Sequence, residues 1–313
     1  MRAVQRFFIA DVFAETAFAG NPLAVVIGDE ALPEATMQRV AAEINFSETT
    51  FLVPRPEPDG GYRVRLFTPA REIAFAGHPI LGTAVVLRQH LALPLAAPLR
   101  LNLMVGPVGV GFERSADGAE VAWFDAPAVT LGGSVPREPM AAALGIAADD
   151  IDPVAPVQQA GAGTTAMIVP LRSLDALRRC RLDLAAYAPL AAQGCPPLVY
   201  LFSRETHDPR NHLCARFFFE AHGVREDPAT GNGAAFVGAY LLEHRVLAGD
   251  DLSLRIEQGH QVRRPSLVLL RARRVGAGHA GRAGAEHRTG LTGAASEIRV
   301  GGAVIQTVRG ELL

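Results

Sequence analysis

Two glycine-led, almost uncharged segments constrain this chain more than any other feature. The first runs Gly77-His78-Pro79-Ile80-Leu81-Gly82-Thr83-Ala84-Val85-Val86-Leu87 and meets no charge before Arg88. The second opens at Gly231-Asn232-Gly233 and stays largely uncharged to His244. A helix that is apolar on every side is stable only when it is covered on every side, so each segment predicts a buried helix. Aligned on Gly77 and Gly231, the two lie 154 residues apart in a chain of 313. That offset predicts a duplicated two-lobe α/β architecture. With 49% hydrophobic residues, the chain can fill two cores.

The remaining pattern fits strands placed around those helices. Phe7 to Phe13 and Leu23 to Ile27 are apolar and β-prone, and Gly20-Asn21-Pro22 between them predicts the turn of a hairpin-like start. Met37, Val40, Ala41 and Ile44 recur at helical spacing after Pro33. Thr49 to Val53 is β-prone, and residues 62–67 alternate as a half-buried strand does, which puts Glu48 at a helix-to-strand junction. Strands are expected at Leu99 to Met104, Val108 to Phe112 and Val121 to Phe124, and later at Ala166 to Val169, Leu198 to Phe202 and Leu213 to Glu220. Proline, glycine and acidic residues thicken between Pro127 and Asp152, the expected crossover. The expected lobes are therefore 1–127 and 128–299, with a last strand at 300–313 joining the first lobe. Residues 275–296 lack apolar periodicity and are expected as a loop, and Gly301-Gly302 suggests a turn or bulge.

Several function classes fall on composition. A formal net charge of -2 gives no field that would favour nucleic acid or an anionic membrane. The first ten residues are too short for the apolar region of a signal peptide, and no apolar stretch reaches membrane-spanning length, so the expected compartment is the cytoplasm. Cys180, Cys195 and Cys214 are odd in number and form no CxxC pair, which suits reduced thiols and gives a metal site little support. Every basic residue among the 30 is arginine. Without lysine there is no pyridoxal phosphate Schiff base, no lysine nucleophile and no Walker lysine.

What remains is carboxylate and helix-end chemistry. A helix that starts at glycine exposes N–H groups with no intrahelical partner, and its dipole makes that end a binder of anions. The starts at Gly77-His78 and Gly231-Asn232 could together hold an acidic substrate. Glu48 can serve as a proton carrier, since a carboxylate in a dry cleft can take and return a proton; its local sequence alone favours a solvated glutamate at a strand edge. His78 reads as a substrate group or a helix-start cap, and Asp227 as a substrate group or an Asp-Pro turn residue.

Taken together, the motifs carry a resemblance. Asp11-Val12-Phe13 with Gly20-Asn21-Pro22, Asn45-Phe46-Ser47-Glu48-Thr49-Thr50-Phe51, Phe75-Ala76-Gly77-His78-Pro79 with Leu81-Gly82-Thr83, and Glu226-Asp227-Pro228-Ala229-Thr230-Gly231 resemble the PhzF family of phenazine biosynthesis in order and spacing. Ile256-Glu257-Gln258-Gly259, Arg264-Pro265-Ser266 and Val300-Gly301-Gly302 extend the likeness over nearly the whole chain. The resemblance implies a diaminopimelate epimerase-like fold, with two similar lobes, each a curved, mostly antiparallel sheet around a central helix, and an active site between them. It also implies a cytoplasmic, often dimeric enzyme without cofactor. The family's proton-shuttling glutamate maps onto Glu48 and its substrate-positioning groups onto His78 and Asp227, with Ser47, Gly77, Gly231 and Asn232 as further substrate-binding positions. Related two-thiol epimerases carry cysteine before each helix-starting glycine, where this chain has Ala76 and Thr230. The expected function is thus a homodimeric, cofactor-independent isomerase acting on a small carboxylate-bearing molecule. An epimerase or dehydratase using Glu48 alone, and a non-catalytic module for small acids, are the alternatives. Asn232-Gly233 departs from the serine of the phenazine enzyme and leaves the substrate open.

Overall fold

The computed structural model describes residues 4–115, 118–220, 224–275 and 296–312. The loop expected at 275–296 falls, apart from its end residues, outside them. The chain forms two compact units, one of residues 1–125 with 264–267 and 301–313, the other of residues 126–263 and 268–300.

Unit 1 carries β1 (Gln5–Val12), β2 (Asn21–Gly28), α1 (Glu34–Ile44), β3 (Thr49–Leu52), β4 (Tyr62–Phe67), β5 (Glu72–Ile73), α2 (Gly77–His90), β6 (Leu99–Leu103), β7 (Gly106–Arg114) and β8 (Glu120–Asp125). The C-terminal strand Val304–Leu312 pairs antiparallel with β1, β1 antiparallel with β2, β2 parallel with β3, β3 antiparallel with β4 and β4 parallel with β6. The short β5 folds back on β4 just before α2. Helix α2 is the apolar segment of the sequence, buried along twelve consecutive residues from Gly77 to Arg88. It packs against β1, β2, β3, β6, β7 and β8, and each fully buried leucine or valine on it contributes about 1.5–3 kcal/mol. Gly82 sets how closely it approaches: a Cβ there would lie 2.5 Å from Leu23 and 2.8 Å from Val12.

Unit 2 carries β9 (Thr130–Val135), α3 (Arg137–Leu144), β10 (Val157–Ala162), β11 (Thr164–Leu171), α4 (Leu174–Arg179), α5 (Leu184–Ala192), β12 (Val199–Ser203), β13 (Leu213–Phe219), β14 (Val224–Asp227), α6 (Gly231–Glu243) and β15 (Asp251–Gln258). Its pairings run β9 antiparallel to β10, β10 antiparallel to β11, β11 parallel to β12, β12 antiparallel to β13 and β13 parallel to β15. The order of senses is that of unit 1, and again a short strand, β14, folds back on its neighbour just before the buried helix. The duplication inferred from two glycine-led helices therefore extends to the strand topology. Outer helices cover the other sheet face in both units. In unit 1 Met37 and Ala41 of α1 meet Val26, Phe51 and Phe67; in unit 2 Met140, Leu144, Leu177 and Tyr187 meet Val169, Leu201 and Phe218.

Two local expectations change, and three helices were not anticipated. Asn21 and Pro22 do not form a turn but open β2, opposite Val12 and Asp11. The turn lies upstream, where Phe13, Phe18 and Gly20 all have positive φ; a Cβ on Gly20 would lie 2.4 Å from the Val12 carbonyl oxygen. Asp227 ends strand β14 opposite Phe217 rather than standing in a turn. Helices α3, α4 and α5 carry no apolar period strong enough to stand out in an alanine- and proline-rich stretch, and the sheet beneath them supplies their order.

Candidate functional site

Glu48 is delivered by a defined helix stop. Asn45 ends α1 in the left-handed conformation (φ 57°) and donates its N–H to the Ala41 carbonyl, a conformation asparagine tolerates better than most residues. Phe46 and Ser47 turn the chain, Ser47 half-buried, and β3 begins directly after Glu48. All of β3 is buried. Its Thr50 hydroxyl meets the Thr83 hydroxyl of α2 at 2.8 Å, which ties strand and helix in one register.

That register brings Glu48 to His78. Glu48 Oε2 lies 3.4 Å from His78 Nε2, and the two side chains are 16% and 7% exposed. On the other edge of the imidazole, Asn21 Nδ2 lies 3.3 Å from His78 Nδ1. Asn21 is fully buried at the head of β2. Burial pushes the His78 imidazole down to about 3, because the charged form would lose its hydration. His78 is therefore neutral near pH 7. No side chain caps α2, whose N-cap is Ala76, so the amides of Gly77 and His78 at its buried start face a position suited to an anion.

Unit 2 holds a second cluster at the matching helix start. Helix α6 begins at Gly231 without a side-chain cap, because the Thr230 hydroxyl donates instead to the Asp227 carboxylate. Gln258, wholly buried at the end of β15, closes this loop. Its amide donates to the Asp227 carbonyl (2.9 Å) and to Thr230 Oγ1 (3.1 Å), and its oxygen accepts from the Thr230 N–H (3.2 Å). Asp227 is thereby held at both its carboxylate and its carbonyl. Asn232 is half-buried in the first turn of α6. Gly233 follows from packing, since a Cβ there would lie 2.4 Å from the ring of Tyr200.

Sequence reasoning assigned no role to Asn21 or Gln258. The signal for Asn21 was its place after a glycine that forces a turn, but reading it as part of that turn hid its inward-facing amide. Gln258 gave a weaker signal, a polar residue on the strand face that Leu252, Leu254 and Ile256 otherwise make apolar.

A third group, His207, Glu257 and His260, has ligand-type atoms within 4.8 Å of one another. The two rings stack, with centroids 3.8 Å apart and planes 22° apart. An ion in the plane of one imidazole would sit off the plane of the other, so this arrangement is a stacked pair and not a chelate. Glu257 anchors the neighbouring loop: burial pushes its carboxyl up, but His260, the Asn211 amide and the backbone N–H groups of His207 and Asp208 hold it well below the usual range.

Comparison with known proteins identifies the family. The family model described as phenazine biosynthesis-like protein, PhzC-PhzF, matches residues 10–301. The chain belongs to the PhzF family. An uncharacterized isomerase of Mesorhizobium japonicum is 36% identical over 274 residues, covering 85% of this chain and 90% of that protein. A trans-2,3-dihydro-3-hydroxyanthranilate isomerase of Pseudomonas aeruginosa is 34% identical over 276 residues, covering 87% of this chain and 92% of that protein. Among solved structures, a PhzF-family phenazine biosynthesis protein of Bacillus anthracis superposes with a TM-score of 0.85 at 23% identity, covering 100% of both chains. This PhzF-family chain is an isomerase with the family's fold. Among the described residues, no helix is long and apolar enough to cross a membrane.

Proposed function

We propose that this PhzF-family isomerase moves a proton on a small carboxylate-bearing substrate without a cofactor, with Glu48 as general acid and base. The contact of the Glu48 carboxylate with a buried, neutral His78 beside an uncapped helix start carries the reading. The carboxylate removes a proton from a carbon made acidic by a neighbouring conjugated group, and the pair of electrons left behind delocalises. Glu48, now a carboxylic acid, returns the proton to a second atom of the same conjugated system. Neutral His78 holds substrate by hydrogen bonding, and the amides of Gly77, Gly231 and Asn232 take its negative charge, with Ser47 and Asp227 completing the substrate contacts. The resemblance to dihydro-hydroxyanthranilate isomerases makes cyclic, carboxylated dienes the first substrates to try. A cytoplasmic homodimer is the state in which we expect it to work.

Incubation with a panel of such acids in deuterated water tests the assignment. Wild type should place deuterium on carbon, and Glu48→Gln should lose this by at least about a hundredfold, the usual range for a general base. A variant that exchanges at the wild-type rate would remove Glu48 from the mechanism. Tight binding without exchange across the panel would favour a binding module instead.

A further inference from the structure

We infer that Asn21 is a positioning residue that holds His78 in the neutral tautomer bearing its proton on Nε2, so that His78 presents a fixed donor toward Glu48 and leaves Glu48 as the only proton carrier of the pair. The inference deepens the proposed role of Glu48 and rests on it for its catalytic meaning, though not for its structural content.

The argument starts from a contact between two nitrogens. Asn21 Nδ2 is 3.3 Å from His78 Nδ1, and an amide nitrogen has protons to give but no lone pair to accept with. A hydrogen bond there requires a bare Nδ1, and a neutral imidazole with a bare Nδ1 carries its proton on Nε2. Nε2 lies 3.4 Å from Glu48 Oε2, and both atoms are buried; at this separation they are close without being aligned as a hydrogen bond. The opposite orientation of the Asn21 amide would make Nδ1 the protonated atom and turn the Nε2 lone pair toward a carboxylate oxygen. Two electron-rich atoms would then meet in a buried place where neither reaches water, so the carboxylate selects the amide orientation and the amide selects the tautomer.

The backbone gives Asn21 little freedom to do otherwise. Its residue pairs with Val12 in the ladder of β1 and β2, and Pro22 follows it directly. The preceding Gly20 is locked at φ 68° and donates its N–H to the Pro265 carbonyl oxygen. Arg264 holds the same loop, donating to the carbonyls of Phe18, Ala19 and Gly20 and to the Asp11 carboxylate. A His78 fixed as an Nε2 donor cannot accept a proton on the atom that faces Glu48. It offers its Nε2 proton to a substrate atom placed beside it, without competing for the proton in transit.

The test is a two-bond proton–nitrogen correlation spectrum of the whole chain labelled with 15N-histidine, with His78 identified by the signals lost in His78→Gln. Near pH 7 the wild type should show His78 with a protonated Nε2 and a bare Nδ1. In Asn21→Asp a carboxylate replaces the donor, so Nδ1 should gain a proton, and turnover of any substrate found should fall by about tenfold to a hundredfold in kcat. A wild-type His78 protonated on Nδ1 overturns the inference, as does a folded Asn21→Asp variant whose Nδ1 stays bare. Should that variant fail to fold, the wild-type spectrum decides alone. The tautomer is read without substrate, so its failure leaves the exchange result for Glu48→Gln standing, and loss of the Glu48 role leaves the tautomer standing.

Discussion

At the scale of single residues, His78 ties stability to pH. Its folded pKa lies near 3 and its unfolded value near 6.5, so between those limits the unfolded chain binds more protons and stability falls as pH drops. The loss is at most about 1.4 kcal/mol per pH unit from this one group. Denaturant midpoints at pH 7.5 and 5.5 should show a larger drop for wild type than for His78→Gln. Equal drops would mean that His78 takes its proton without cost and is not buried neutral. Much of this residue chemistry could be read in advance. Glu48, His78 and Asp227 stand in recognisable runs, and the structure sets the first two 3.4 Å apart in one unit. Asn21 could not be read in the same way, because its partner is 57 residues away and only the packing of α2 on β2 brings them into contact.

At the scale of elements, the two buried helices are placed by glycine as much as by their apolar residues. Gly82 lets α2 close on β1 and β2, and Gly233 lets α6 close on Tyr200 of β12. Tyr200 is wholly buried and meets Phe217 edge-on at 5.3 Å, so its ring has no room to move aside. Gly233→Ala should therefore destabilise unit 2 by about 1–3 kcal/mol, the usual cost of overpacking, although alanine is the better helix former. Urea denaturation measures this, and a neutral or stabilising result would show that the ring yields. Asn232-Gly233, which departs from the serine of the phenazine enzyme, thus has a packing reason at its second residue. The helices themselves were legible because an uncharged run of this length has no alternative to burial. Their outer partners α3, α4 and α5 were not, because their apolar faces are narrow and are defined by the sheet they cover.

At the scale of the whole molecule, a late segment of the chain serves an early one. Residues 264–267 belong with the first 125 residues. Arg264 joins the buried Asp11 at 2.6 Å across 253 positions of sequence and caps three carbonyl groups of the loop before Asn21. Arg264→Ala should leave the Asp11 carboxylate buried without this partner and cost about 3–5 kcal/mol. Thermal unfolding reads the loss, and a change under about 1 kcal/mol would mean that the loop holds itself.

The sequence by itself determined the two-fold plan, because an all-round apolar helix must be enclosed and this chain has two at matched positions. It also narrowed the chemical types available, since a chain without lysine has no Schiff-base lysine, lysine nucleophile or Walker lysine. Only the tertiary structure decided which polar groups meet. Asn21, Glu48 and His78 come from β2, the junction before β3 and the start of α2, and no local preference links them. Strand pairing, the Thr50–Thr83 contact and the close approach allowed by Gly82 set their distances, and those distances turn three ordinary side chains into a carboxylate facing a neutral, buried donor.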